Sequence, residues 1–143
     1  MKKHLFSVNK VVIYTDGGSR GNPGPAAIAA VVGNKKYSEY IGKATNNEAE
    51  YRAVILGLTK ARQIMGKKKA KEMEVEMRMD SELIERQLNG RYRIKEEELK
   101  SFYVDVHNMI MEFKKVEFTH VPREKNKEAD RLVNEELNKE ERK

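Results

Sequence analysis

The chain has no cysteine and no tryptophan, only three prolines, and no apolar run approaching the length of a membrane span. Lack of cysteine excludes disulfide staples and thiolate-held metal, and it is compatible with a reducing, cytoplasmic setting. The opening MKKHLFSVNKVVIYT has two lysines but reaches Asn9 and Lys10 before any adequate apolar stretch, so no signal peptide and no membrane partner are expected. With three histidines and no thiol, any metal site must be built mainly from oxygen, which favours magnesium or manganese over zinc.

Charge is what the chain has in excess. Charged residues make up 36% of the 143, against roughly 25% in ordinary domains. A formal net charge of +6 and a pI near 9.4 favour polyanionic partners over acidic ones. The length suits one domain over 1–143, large enough for an unstapled core. No obligate protein partner is evident from the sequence.

Hydrophobic patterning outlines an α/β domain. Val11 to Tyr14 are continuous and mostly β-branched or aromatic, predicting a buried strand over 10–16 that Gly17 and Gly18 end. Strands over 26–32 and 36–41 flank the turn Gly33-Asn34, so three antiparallel strands open the fold. Thr45 and Glu48 have capping-box spacing, while Ala49, Ala53, Leu56 and Ile64 recur at helical intervals, predicting a helix from Thr45 to about Gly66. Over 72–80, Met73, Val75, Met77 and Met79 alternate with Glu74, Glu76 and Arg78, a fourth strand with one wetter face. Helices over 81–88 and 96–113, a strand over 115–121 and a last helix from about Asn126 complete the order. The lysine run GKKKAK at 66–71 is expected as a solvated loop, a strand's length of roughly 26 Å from the far end of strand four.

Four acidic residues stand where this pattern brings the chain to an interior or a strand end. Asp16 closes the most apolar strand, where a turn role alone would suffice. Glu50 is followed at helical spacing by Ala53, Val54, Gly57 and Leu58, which puts its carboxylate on the buried side. Asp80 ends the fourth strand, where capping the next helix is an equally good explanation. Asp130 opens the last helix, favourably placed for its dipole. Glu48, four residues before Arg52, reads as a cap and surface pair. The joint pattern is what the single explanations miss: a compact domain could gather Asp16, Glu50, Asp80 and Asp130 at one sheet edge. Two carboxylates about 4 Å apart repel by roughly 4 kcal/mol at an effective dielectric of about 20, so a proton or a divalent cation must relieve them. Paired magnesium ions held by carboxylates suit phosphodiester hydrolysis.

The ordered segments YTDGGSRGNPGP, TNNEAE, MDSEL and NKEAD, spread over about 10–137, resemble type 1 ribonuclease H, the nuclease that cuts the RNA strand of RNA/DNA hybrids. The resemblance implies a five-stranded mixed sheet, three antiparallel strands then two parallel, flanked by helices on both faces. It implies Asp16, Glu50, Asp80 and Asp130 as catalytic metal ligands for two Mg2+ ions, or Mn2+, once substrate is bound. It implies Gly17, Asn22, Thr45, Asn46 and Asn47 as hybrid contacts, and His120, ten residues before Asp130, as a proton-handling residue. Asparagine amides can serve 2′-hydroxyls and minor-groove edges, and Thr45 at a helix start suits a phosphate.

The chain also departs from that family's pattern. A tryptophan-bearing basic protrusion of many bacterial members is replaced by NGRYRIKEEE, with Arg91, Tyr92 and Arg93 as a reduced substitute, and Glu82 stands where a glutamine often touches substrate. Two alternatives stay open at this level: a noncatalytic hybrid-binding module, whose mark would be a lost acidic residue, and a DNA-cutting nuclease of the same superfamily.

Overall fold

A computed structural model describes residues 9–143. Most of the opening segment read for a signal peptide, residues 1–8, lies outside the described part. Five strands, β1 (Lys10–Ser19), β2 (Gly24–Val32), β3 (Lys35–Ala44), β4 (Glu74–Met79) and β5 (Lys115–His120), form one sheet in the order β3-β2-β1-β4-β5. β1, β2 and β3 pair antiparallel, and β4 and β5 join β1 in parallel, as the resemblance implied.

β1, β2 and β3 pair over a longer span than the sequence pattern suggests, whereas β4 and β5 are shorter than the expected 72–80 and 115–121. Gly17 and Gly18 do not end β1 but continue it, opposite Ile28 and Ala27 of β2, because the antiparallel ladder supplies partners that local propensity ignores. β3 likewise runs to Ala44, past a bulge between Ala26 and Ala27 in its partner. Gly33, at φ 62, makes the expected turn between β2 and β3.

Period-two alternation in β2 feeds two faces. Ala26, Ile28, Ala30 and Val32 meet α1 (Asn46–Met65) and the large core built on Tyr51, Val54, Leu58, Met77 and Leu99. Ala27, Ala29 and Val31 meet Ala129, Val133 and Leu137 of α5 (Lys127–Glu141) on the other face. Helices α3 (Glu82–Leu88) and α4 (Glu97–Ile110) lie on the α1 side, where Tyr51 Oη donates to Gln87 Oε1 at 2.7 Å. Met73, just before β4, and the Val75, Met77 and Met79 row of β4 are buried, and the opposite row is only half-buried.

Two local expectations change. GKKKAK is not a loop: Lys67–Ala70 form the single helical turn α2, because buried Ala70 anchors it and Lys71 Nζ donates to the Met111 carbonyl at 2.9 Å. It does lie at the opposite end of β4 from Asp80, about 20 Å of strand away. The helix predicted over 96–113 is shorter, its last residues turning so that Lys114 N–H can donate to the Met73 carbonyl at the head of β5. No helix of the described residues is long and apolar enough to cross a membrane.

Candidate active site

The parallel pairing of β1 and β4 sets the first two carboxylates side by side. Its register matches Tyr14 with Arg78, so Asp16, two residues on within β1, and Asp80, two residues on just past the end of β4, come to the same height. Asp80 is not a helix cap: Ser81 takes that role, its Oγ accepting from Ile84 N–H at 3.3 Å, which frees the Asp80 carboxylate for the cleft.

Glu50 arrives from the second turn of α1. Thr45 and Glu48 form the predicted capping box, with Glu48 N–H donating to Thr45 Oγ1 at 3.1 Å and Thr45 N–H donating to Glu48 Oε1 at 2.8 Å. That fixes the helix start, and Gly17 N–H then donates to Glu50 Oε1 at 2.8 Å, so strand and helix hold the carboxylate jointly. Gly17 is where β1 and α1 touch most closely. A Cβ there would overlap the Ala49 carbonyl and come within 2.7 Å of the Glu50 nitrogen.

Asp130 is set by Asn126, the residue that ends the 3-10 turn Arg123–Lys125 and precedes α5. Buried Asn126 donates its side-chain amide to the Thr15 carbonyl at 2.9 Å, tying the start of α5 to the strand residue next to Asp16. One helical turn later Asp130 faces the same space.

Asp16, Glu50 and Asp80 offer oxygens that all lie within 4.8 Å of one another, and Asp130 joins them in lining a cleft of about 420 Å³. Asp16 and Glu50 are 8% and 7% exposed, so their charges are largely cut off from water. Burial first, then the nearby Asp80 and Asp130 charges, push the Asp16 carboxyl from 3.8 up to about 7. Burial and the Asp16 charge hold Glu50 well above the ordinary carboxylate range. Burial also raises Asp80, against the opposing pull of Arg123. A cluster of hard oxygen donors that cannot comfortably ionise together fits a divalent cation such as Mg2+ or Mn2+.

This arrangement has a stability signature. Because the folded pKa of Asp16 exceeds its unfolded value, its stabilising protonated form is complete below about pH 4 and is lost as pH rises through about 7. The lowered groups Glu76 and Glu128 act oppositely, but their gain is finished by about pH 5. The thermal midpoint of metal-free protein should therefore fall between about pH 5 and about pH 8, and Mg2+ should raise it more at the higher pH. Equal Mg2+ effects at both pH values would contradict the carboxylate cage.

The expected substrate residues gather beside the carboxylates. Gly17 and Asn46 line the cleft itself. Asn22 Oδ1 accepts from Asn46 N–H at 2.9 Å, and Asn46 Oδ1 accepts from Ser19 N–H at 3.3 Å, which staples the glycine-rich loop to the start of α1. Asn22 and Asn46 are exposed, with Thr45 and Asn47 partly so on the same rim. His120 ends β5 opposite Met79, exposed and outside the cleft lining.

Arg20, Arg123 and Asn134 line the cleft without having stood out in the sequence. Arg123 Nη2 lies 3.4 Å from Asp130 Oδ1. Its seven-residue lead on Asp130 was the available signal, masked by the 3-10 turn that redirects the chain between them. Glu82 pairs with Arg86 at 3.4 Å. Arg86 in turn donates to Tyr92 Oη at 3.1 Å and lies 5.6 Å over its ring, so Tyr92 is held beside Arg91 and Arg93 along a separate groove.

The comparisons agree with this geometry. The profile of the Reverse transcriptase-like family matches residues 14–136. The chain is 42% identical over 132 residues to the bifunctional protein Rv2228c of Mycobacterium tuberculosis, covering 87% of this chain and 35% of that one. It is 38% identical over 134 residues to ribonuclease HI of Halobacterium salinarum, covering 90% and 64% respectively. The chain thus spans about a third of the mycobacterial relative and under two thirds of the halobacterial one. Among solved structures it resembles LC11-RNase H1 in complex with an RNA/DNA hybrid at a TM-score of 0.84 and 47% identity, covering 90% of this chain and 96% of that one. With motif order, sheet order and carboxylate cluster in accord, the chain belongs to the ribonuclease H family.

Proposed function

We propose that this chain is a divalent-metal-dependent endoribonuclease that hydrolyses the RNA strand of RNA/DNA hybrids in the cytoplasm, leaving 5′-phosphate and 3′-hydroxyl ends. The observation that carries the reading is the convergence of Asp16, Glu50 and Asp80 within 4.8 Å, with Asp130 on the same cleft, in a relative of an RNase H1 solved with a hybrid. Asp16, Glu50, Asp80 and Asp130 would hold the metal, which when bound supplies charge neutralisation at the phosphate and acidifies a water. The chain's own residues do the rest. Gly17 N–H and burial fix Glu50, so the cage is shaped before substrate arrives. Asn22 and Asn46 present amides on the rim, suited to telling a 2′-hydroxyl strand from DNA. The noncatalytic alternative loses ground because none of the four acidic residues is missing.

Arg123 pairs with Asp130 across the open side of the cleft. It is 77% exposed, so its part is to meet substrate or product phosphate rather than to stabilise the fold. Arg123→Ala should lower kcat/KM on a hybrid about tenfold while leaving the thermal midpoint at about pH 4, where the raised cage carboxyls are protonated, little changed, readable by steady-state kinetics and calorimetry. The deciding assay for the function compares matched hybrid, double-stranded RNA and DNA duplexes with Mg2+ or Mn2+. Cleavage confined to the RNA strand of the hybrid is expected; equal cutting of DNA duplex, or none of any substrate, would reject the reading.

A further inference from the structure

Arg20 follows β1 in the glycine-rich loop, and its backbone is pinned where its N–H donates to the Pro25 carbonyl at 2.8 Å. Its side chain crosses to α5. One guanidinium nitrogen lies 2.5 Å from Glu141 Oε2, and another lies 3.3 Å from Asn134 Oδ1. Asn134 is itself oriented, because its amide nitrogen donates to the Asp130 carbonyl at 3.0 Å, one helical turn back. A short chain of contacts therefore sets a guanidinium within about two helical turns of a carboxylate of the cage.

Glu141 is 60% exposed at the last turn of α5, and the pair is only partly shielded, so the ion pair holds Arg20 weakly. Beside it on the cleft wall, the Ser19 hydroxyl is cut off from solvent and has no hydrogen-bond partner among the described residues. An acidic residue thus occupies a cation on the wall of a cleft that must receive a polyanion, next to a buried hydroxyl.

We infer that Arg20 is a phosphate-binding residue that exchanges partners: the Glu141 carboxylate holds it in the free protein, and a backbone phosphate of the RNA strand displaces Glu141 when the hybrid binds. The inference rests on the proposed nuclease reading and adds to it a specific residue and a competing internal anion. Guanidinium suits the handover, since it meets carboxylate and phosphate with the same planar fork. Asn134 keeps the fork aimed while the anion changes. The contact is to phosphate, so it serves affinity and register on the RNA and not the bond-breaking step.

Hybrid cleavage by Arg20→Ala, Arg20→Lys, Glu141→Gln and the Arg20→Ala/Glu141→Gln double variant tests it, with kcat and KM measured across a salt series. Arg20→Ala should raise KM about tenfold with kcat nearly unchanged, and should reduce the salt slope of binding by about one. Arg20→Lys should recover part of the KM. Glu141→Gln should lower KM about twofold by removing the competitor, and the double variant should match Arg20→Ala. If Glu141→Gln instead raises KM as Arg20→Ala does, the pair merely braces the loop and the exchange is wrong. An unchanged KM and salt slope in Arg20→Ala would also overturn it, while wild-type turnover in the same assay shows that the nuclease reading survives. Absence of wild-type turnover would overturn both.

Discussion

Asp16→Asn should lower hybrid cleavage by about a thousandfold or more and, at the same time, make the metal-free protein more stable. The two effects share one cause. Asp16 is the carboxylate that the others bear on together: it is buried, level with Asp80 beyond the β1–β4 ladder, and close enough to Glu50, Asp80 and Asp130 for each to influence its protonation. Ionising a buried carboxyl whose pKa has risen to about 7 costs the folded state roughly 2–4 kcal/mol at about pH 8. A neutral amide of nearly the same shape removes that cost and also removes the charge that would anchor the cation. Calorimetry without metal should show a higher midpoint for the variant at about pH 8 and little difference at about pH 4. Near-normal cleavage by Asp16→Asn would reject the metal mechanism, and an unchanged midpoint would show that Asp16 is not strained by its neighbours.

Gly17→Ala should be severely damaging for a single added methyl, costing about 3 kcal/mol or more. The added Cβ would overlap the Ala49 carbonyl, and backbone cannot step aside as a flexible side chain can. Relief requires β1 and α1 to separate, which breaks the Gly17 N–H bond to Glu50 and opens the core over Tyr51 and Leu58. Denaturant unfolding should show a lowered midpoint, and surviving folded protein should bind Mg2+ more weakly than wild type. Gly18 offers the internal control, because a Cβ there meets only side-chain atoms at 3.6 Å and beyond. Gly18→Ala should leave stability within about 1 kcal/mol of wild type. Equal tolerance at both glycines would refute the close-contact account.

Local chemistry made the cage legible in the sequence. Asp16 follows the apolar run of β1, Asp80 follows the last residue of β4, and Glu50 sits on the apolar stripe of a helix with a readable capping box, so each position follows from periodicity. The two faces of β2 were not separable in its uniformly apolar run, and only the packing of α1 and α5 on opposite sides distinguishes them. What stayed hidden depends on contacts between distant segments. β1 extends through two glycines because β2 lies opposite them. Asn126 looks like an ordinary helix start, yet its amide spans 111 residues to Thr15. Arg20, Asn134 and Glu141 carry no local pattern that joins them, and Arg123 is aimed by a 3-10 turn that periodicity does not register. For His120, spacing pointed to the site, whereas the structure leaves it exposed at the end of β5.

The place of β1 in the sheet has a dynamic consequence. As the middle of five strands it has a ladder on each edge, α1 over one face and α5 over the other. Fraying at β3, β5 or the tip of α5 can proceed without disturbing it, so breathing motions cost the cage little. Release of β1 itself parts β2 from β4 and strips α1 and α5 of the strand between them, which binds the geometry of Asp16 to global unfolding rather than to any partial opening.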